Sequence, residues 1–318
     1  MGSSLPPPVE LPAAAGESQG GTALASDARA RLHALLGGAV CFDEPLSRHT
    51  SMRVGGPAGA WVQLGDIAKL AAVLQLCQTE GIAWTVIGLG SNLLVRDEGF
   101  AGVVMRLGGE FAKIRIDGCR LRAGSAVPIA SLCRDAAKAG LRGAEALAGI
   151  PGTVGGAVRM NAGTDVEIGP LLESVEVLVP GDAGPQSVRL QFSYRRSTLE
   201  RSAIVCAAQL RLEPGDPRAT QAEVRRRIDR RGATQPIELP NLGSIFKNPP
   251  GDHAARLIET AGCKGKRAGG AEVSVKHANF IVNRGGATCR DVLELIAEVR
   301  ASVLAVHGVA LELEIHLL

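Results

Sequence analysis

Apolar positions along this chain follow two periods, and stretches of one alternate with stretches of the other from about residue 40 onward. Ile67, Leu70, Leu74 and Cys77 share one face of a predicted helix, which Asp66 can cap and Gly81 can end. Thr85-Val86-Ile87 reads as a buried strand running into a Gly-rich turn, and Leu121 to Val127 and Val175 to Val179 read as further strands. Ile129 to Ala139 reads as a short helix with Pro128 at its start and Gly140 as its stop. Residues 216–237 shift towards charge and predict an exposed helix ending at Gly232, with a domain boundary near 215–235. The C-terminus carries the clearest pattern. Thr288 can cap a helix with Asp291 in its first turn; Val292, Leu295, Ile296, Val299 and Val303 recur at helical spacing, and Gly308 closes it. Val309 to Leu317 then alternates with period two, which predicts a half-buried strand with Glu312, Glu314 and His316 on its polar face. Residues 1–28 contain no Lys or Arg and no apolar block, and their Pro, Gly, Ser and Ala content predicts a disordered tail.

Composition narrows the class. A chain of 318 residues, 46% apolar and 21% charged, is a soluble globular protein of about two domains. Thirty-five basic against 32 acidic residues is too even a balance for a nucleic-acid coat. No apolar run approaches the roughly 20 residues of a membrane span. The seven cysteines are odd in number and none has CxxC spacing, which argues against a disulfide framework or a zinc site and for a reducing, cytoplasmic compartment. Glycine is abundant, with 40 residues, and it concentrates where chemistry is expected.

Two Gly-rich segments stand out. In Val86-Ile87-Gly88-Leu89-Gly90-Ser91-Asn92-Leu93-Leu94-Val95 a strand enters a turn where backbone N–H groups can approach a phosphate. It is not the dinucleotide fingerprint, because Leu93 stands where GxGxxG needs Gly and the exit is strand-like. No GxxxxGK[ST] occurs in the chain. Gly149 to Gly163 holds five glycines in fifteen residues, which predicts neither a regular helix nor a strand but a tightly packed loop or a cofactor cradle. Ser193-Tyr194-Arg195-Arg196-Ser197 reads as a strand or basic edge on which Tyr194 and Arg195 point to opposite faces. In Pro240 to Pro249, Ser244 is a turn former or a hydroxyl donor, and GxSxG does not fit. His277 near Asn279 is either an acid–base pair or, more in keeping with a lone His, structural. Arg225-Arg226-Arg227 with Arg230-Arg231 is diluted by Glu223 and Asp229 and reads as a solvated helix face.

Taken in order, these motifs resemble the UDP-N-acetylenolpyruvoylglucosamine reductases, also called UDP-N-acetylmuramate dehydrogenases. The resemblance is carried by Thr50 to Ala58, Gly88 to Val95, Gly149 to Gly163, Tyr194 to Ser197, Gly243 to Pro249, His277 to Phe280 and Leu311 to Ile315, and it covers about residues 40–318. It implies an α+β flavoenzyme with the FAD-binding fold of the vanillyl-alcohol oxidase / p-cresol methylhydroxylase type and a C-terminal α+β substrate-binding domain. The implied division is a tail at 1–38, FAD-binding subdomains at 39–110 and 111–220, and a substrate domain at 221–318. NADPH and UDP-N-acetylglucosamine enolpyruvate are the implied small-molecule substrates, in peptidoglycan precursor synthesis, without nucleic acid, membrane or an obligate protein partner. Residue by residue, Arg195, Ser244 and Glu314 match the catalytic positions. Gly55, Gly56, Gly88, Gly90, Ser91, Asn92, Leu93, Gly149, Ile150, Pro151, Gly152, Thr153, Gly155, Gly156, Ala157, Asn161, Ala162 and Gly163 match FAD-binding positions. Tyr194, Lys247 and Asn248 are implied to bind substrate. Thr164-Asp165 stand where many relatives carry an aromatic, and the short spacing from Arg195 to Ser244 resembles the compact subgroup without an extra substrate-covering loop. The competing readings are another flavoprotein of this fold, such as one holding flavin covalently through a His (His49 lies near the first motif), and a non-catalytic nucleotide-sugar-binding module.

Overall fold

The structure is a computed structural model and describes residues 24–318. Residues 1–23 of the expected tail lie outside the described residues. Beyond them the chain is helical rather than a tail. Helix α1 (Ser26–Leu36) forms because Leu24, Ala28 and Leu32, four apart, bury one stripe against the first core. That core continues through β1 (Val40–Pro45), β2 (Pro57–Leu64), α2 (Ile67–Glu80), β3 (Trp84–Val86) and β5 (Phe100–Leu107), with the two-residue β4 (Leu93–Leu94) lying outside the sheet. The sheet order is β1-β2-β5-β3, antiparallel at β1–β2 and parallel elsewhere. The termini of α2 follow the expected chemistry: the Asp66 carboxylate accepts from Lys69 N at 2.8 Å, and Gly81 closes the helix in the left-handed region.

The second core is built on an antiparallel sheet. Its elements are β6 (Ile114–Asp117), β7 (Arg120–Gly124), α3 (Ile129–Lys138), β8 (Leu141–Arg142), α4 (Val154–Met160), β9 (Leu172–Leu178), β10 (Gln186–Val188), the hairpin β11 (Phe192–Ser193) and β12 (Arg196–Ser197), β13 (Ile204–Arg211), β14 (Glu213–Pro214) and α5 (Pro217–Thr234). The sheet runs β10-β9-β13-β7-β6. Two expectations change here. The Gly149–Gly163 segment, expected to avoid regular structure, contains α4; a Cβ on Gly155 would sit 3.0 Å from Ser125 Cβ, so glycine there lets the helix press onto the neighbouring backbone. Helix α5 runs through Gly232 and stops at Gln235. It packs on α3 and places Val224 against the second core, so the expected division at residue 221 cuts through this unit's own helix.

The third core gathers α6 (Ala254–Thr260), β15 (Arg267–Ala268), β16 (Ala271–Val273), β17 (Ile281–Asn283), α7 (Cys289–His307) and β18 (His316–Leu317), and takes Met52, Val54 and Leu94 from the first unit. Thr288 and Asp291 form the expected capping box of α7, and Gly308 ends it at φ +67°. The carboxylate of Asp97, from the first unit, also accepts from Cys289 N at 2.7 Å and Arg290 N at 3.1 Å. Asp97→Ala is expected to lower the unfolding free energy by about 1–2 kcal/mol, read as a lower urea midpoint at unchanged slope; an unchanged midpoint would strip this clamp of its role.

The expected strand over Val309–Leu317 is not one continuous ladder. The segment buries Leu311, Ile315 and Leu317, but it bends at Ile315 and changes partners. Glu314 N donates to Ile245 O at 2.8 Å and Lys247 N to Glu312 O at 2.9 Å. Then β18 pairs in parallel with β4, two units away. All seven cysteines are free, and five are buried. Among the described residues no helix is long and apolar enough to cross a membrane.

Candidate active site

A cavity of about 680 Å³ lies where the three cores meet, within the range of ligand sites. One wall is the loop Gly88–Leu93, another is Gly149–Thr153 with the start of α4, and the third unit contributes Ser244, Phe280, Glu314 and His316. The two loops are tied together, since Ser91 Oγ donates to Pro151 O at 3.0 Å. Gly90 takes φ +61°, and a Cβ there would stand 2.4 Å from His49 O, so no other residue fits this turn. Of the residues matched to FAD-binding positions, those from Gly88 to Leu93, from Gly149 to Ala157, and Ala162 and Gly163 line the cavity. Three do not. Gly55 packs on Val95 and Gly56 on the backbone of Asp97, where a Cβ would meet the carbonyl oxygen at 2.1 Å; their work is close packing. Asn161 is 1% exposed and turns its amide away from the cavity. His49 stacks on Trp61 at 3.7 Å and bonds Glu44 at 3.0 Å, also outside the cavity lining.

The chemical end of the cavity is assembled by turns rather than by strand faces. Tyr194 and Arg195 are the two-residue turn of the β11–β12 hairpin, not neighbours on one strand, and Arg195 is held at φ +55°. That region is strained for a residue with a side chain. The Arg195 side chain is 14% exposed. Its Nε donates to Glu314 Oε1 at 2.7 Å, Nη2 to Gly163 O at 2.9 Å and Nη1 to Glu167 Oε1 at 3.4 Å. Burial pushes the Glu314 carboxyl above the ordinary carboxylate range, against the pull of Arg195 and Lys247. Ser244 reaches the same cavity because residues 245–247 pair with 312–314. Asn279 locks that pairing: its amide bonds both Phe246 N (3.0 Å) and Phe246 O (2.8 Å). His277 packs edge-on against Phe280, and burial holds its proton affinity below the usual value. The pair is therefore structural. Lys247, Asn248 and Tyr194 sit at the rim outside the lining: Lys247 Nζ bonds Glu312 at 3.2 Å, Asn248 Oδ1 accepts from Ala254 N at 3.1 Å, and the half-exposed Tyr194 accepts from Asn248 N at 3.4 Å.

Sequence reasoning missed a set of cations. Arg106, Arg159, Arg201, Arg230 and Arg231 line the cavity and have no ion-pair partner among the described residues. Arg159 donates only to the carbonyls of Glu200 and Ala203, and Arg231 to Gly149 O and Gln235. Burial without an anion pushes both guanidinium groups down from their ordinary value. The basic run thus splits. Arg225 and Arg226 face water with Asp229 and Glu223, whereas the half-buried Arg227 and Arg231 and the exposed Arg230 line the cavity. Their spacing with Thr234, three or four apart, is the one-face signal that could have found them. His316 also faces the cavity, two residues beyond Glu314 on the same polar face.

An FAD molecule needs apolar contact, close backbone approach and cations for its two phosphates, and the Gly-rich walls and the arginines without ion-pair partners fit that need. Fold and site define an FAD-binding flavoprotein with a further C-terminal domain. Residues 58–181 match the model described as FAD binding domain, and residues 235–318 match that of the UDP-N-acetylenolpyruvoylglucosamine reductase C-terminal domain. The chain belongs to the UDP-N-acetylenolpyruvoylglucosamine reductase family. It is 46% identical over 276 residues to UDP-N-acetylenolpyruvoylglucosamine reductase 2 of Symbiobacterium thermophilum, covering 86% of this chain and 90% of that one. It is 46% identical over 283 residues to the reductase of Heliobacterium modesticaldum, covering 86% and 89%. The crystal structure of the Thermus caldophilus reductase superposes with a TM-score of 0.76 at 38% identity, covering 87% of this chain and 97% of that one.

Proposed function

We propose that this protein reduces UDP-N-acetylglucosamine enolpyruvate to UDP-N-acetylmuramate in the cytoplasm, as a step of peptidoglycan precursor synthesis. The observation that carries the reading is the Arg195–Glu314 pair, 2.7 Å apart on a wall shared with Ser244, in a chain of this family. The Gly88–Leu93 and Gly149–Ala157 walls, with Ala162 and Gly163, would hold FAD, which when bound would supply the hydride carrier between NADPH and the terminal carbon of the enolpyruvyl group. Hydride addition leaves negative charge on the adjoining carbon and carboxylate of the substrate. The Arg195 guanidinium, already oriented by three acceptors, stabilises that charge without reorganising. The Ser244 hydroxyl delivers the proton to the second carbon. A Ser hydroxyl is a weak acid, so a second group must resupply its proton; Glu314, which lines the same cavity and whose carboxyl burial pushes up, takes that role.

Arg230, without an anion of its own, takes the diphosphate of the entering nucleotide, and Lys247, Asn248 and Tyr194 steer it at the rim. Arg230→Ala is expected to raise KM for NADPH and for the enolpyruvyl nucleotide by roughly tenfold, the worth of one charge-assisted hydrogen bond, with flavin content unchanged. Loss of flavin instead would assign Arg230 to the cofactor.

The function itself is tested by NADPH consumption of the flavin-loaded protein with and without UDP-N-acetylglucosamine enolpyruvate. Consumption that depends on the enolpyruvyl compound supports the reading. Consumption indifferent to it, with oxygen as the sink, leaves a flavoprotein with another substrate, and no consumption overturns the catalytic roles.

A further inference from the structure

Arg195 sits in a tight turn, so no helix or strand fixes where its guanidinium points. Its side-chain partners must do so. One of them, Glu314, is itself a reacting group and cannot be a constant anchor. The other charged partner is Glu167, which enters none of the steps above. Glu167 is held in turn. Asn161 Nδ2 donates to its second carboxylate oxygen and also to Ser193 O at 2.9 Å, while Asn161 Oδ1 accepts from Gly169 N at 3.0 Å. Residues 163 and 167 form a local antiparallel bridge. A buried amide therefore ties the loop that carries Glu167 to the hairpin that carries Arg195, from Asn161 in the left-handed C-cap (φ +45°) that ends α4.

We propose that Glu167, gripped by Asn161, is a positioning residue for Arg195, keeping the guanidinium aimed at the substrate while Glu314 gives or takes a proton. The inference rests on the roles of Arg195 and Glu314 argued above. It has an electrostatic consequence. The charged groups that bear on Glu314 are Arg195 from the hairpin turn and Lys247 from the paired segment, which favour its ionised form, and Glu167 from the loop after α4, which opposes it. Loss of the Glu167 charge alone favours ionised Glu314, but loss of the aimed guanidinium removes a larger influence, so the positioning role predicts that Glu314 titrates at higher pH in Glu167→Gln. A through-space charge effect alone moves that midpoint the other way.

The test uses flavin-loaded Glu167→Gln protein. Flavin absorbance follows reduction by NADPH and reoxidation by the enolpyruvyl nucleotide separately, and carbon-13 NMR follows the Glu314 carboxyl, identified by its loss in Glu314→Gln. The expected result is reduction within about twofold of the unsubstituted protein, reoxidation roughly tenfold to a hundredfold slower, and a higher Glu314 midpoint, with Glu167→Asp recovering part of the rate. An unchanged reoxidation rate with a midpoint unmoved or lowered overturns the proposal, as does equal loss in both half-reactions with release of flavin. If the unsubstituted protein is not reoxidised by that nucleotide, the functional reading fails. The Glu314 midpoint then decides alone: an upward shift in Glu167→Gln supports the positioning role, and no shift or a downward one overturns it.

Discussion

Ser244→Ala is expected to leave reduction of the flavin by NADPH within about twofold and to slow reoxidation by the enolpyruvyl substrate by roughly 10²–10⁴-fold, the span of general acid catalysis. The asymmetry is the point. Hydride arrival from NADPH needs the nucleotide and the cavity walls, and no proton reaches a carbon in that half-reaction. Hydride departure to the substrate leaves a carbon that must be protonated, and Ser244 is the hydroxyl the third unit brings to that wall. Anaerobic stopped-flow absorbance resolves the two steps. Equal slowing of both would make Ser244 a binding or folding residue.

Arg195→Ala carries the second large effect. Reoxidation is expected to fall by about 10²–10³-fold, as when a preorganised charge-stabilising donor is removed, while flavin content holds. Glu314 loses its 2.7 Å partner in this variant, and burial then acts on the carboxyl with less opposition. Its titration should move to higher pH, so the residual reoxidation rate should change its pH dependence in that direction. Arg195→Lys should recover little, because one ammonium cannot meet the three acceptors that surround the guanidinium. Release of flavin from Arg195→Ala, with slowing of both half-reactions, would make Arg195 a cofactor or folding residue.

What the sequence disclosed is what local chemistry decides. Helices α2 and α7 were legible at both ends because Asp66, Gly81, Thr288, Asp291 and Gly308 act within a turn of themselves. The polar face carrying Glu314 and His316 was legible because side-chain alternation survives even where the ladder breaks. What escaped depends on distant partners. Glycines 155 and 56 are demanded by Ser125 and Asp97, which adjoin them only in the folded chain. The Tyr194-Arg195 turn lacks the Asn-Gly or Asp-Gly signal of a tight hairpin, and it is Gly163, Glu167 and Glu314 that hold Arg195 there. Spacing puts Arg227, Arg230 and Arg231 on one face of α5, but that this face meets Gly149 is decided only in the folded chain.

The backbone around Glu314 bears on how the molecule comes into being. Asn92 Nδ2 donates to Glu314 O at 3.0 Å across 222 residues of chain, and the β4–β18 pair closes beside it. Contacts of such long range form late in folding, after the loop entropy they enclose has been overcome by nearer contacts. The Gly88–Leu93 and Gly149–Thr153 walls can be shaped earlier, from neighbours closer in sequence. The expected order of assembly is therefore cradle first and reactive wall last.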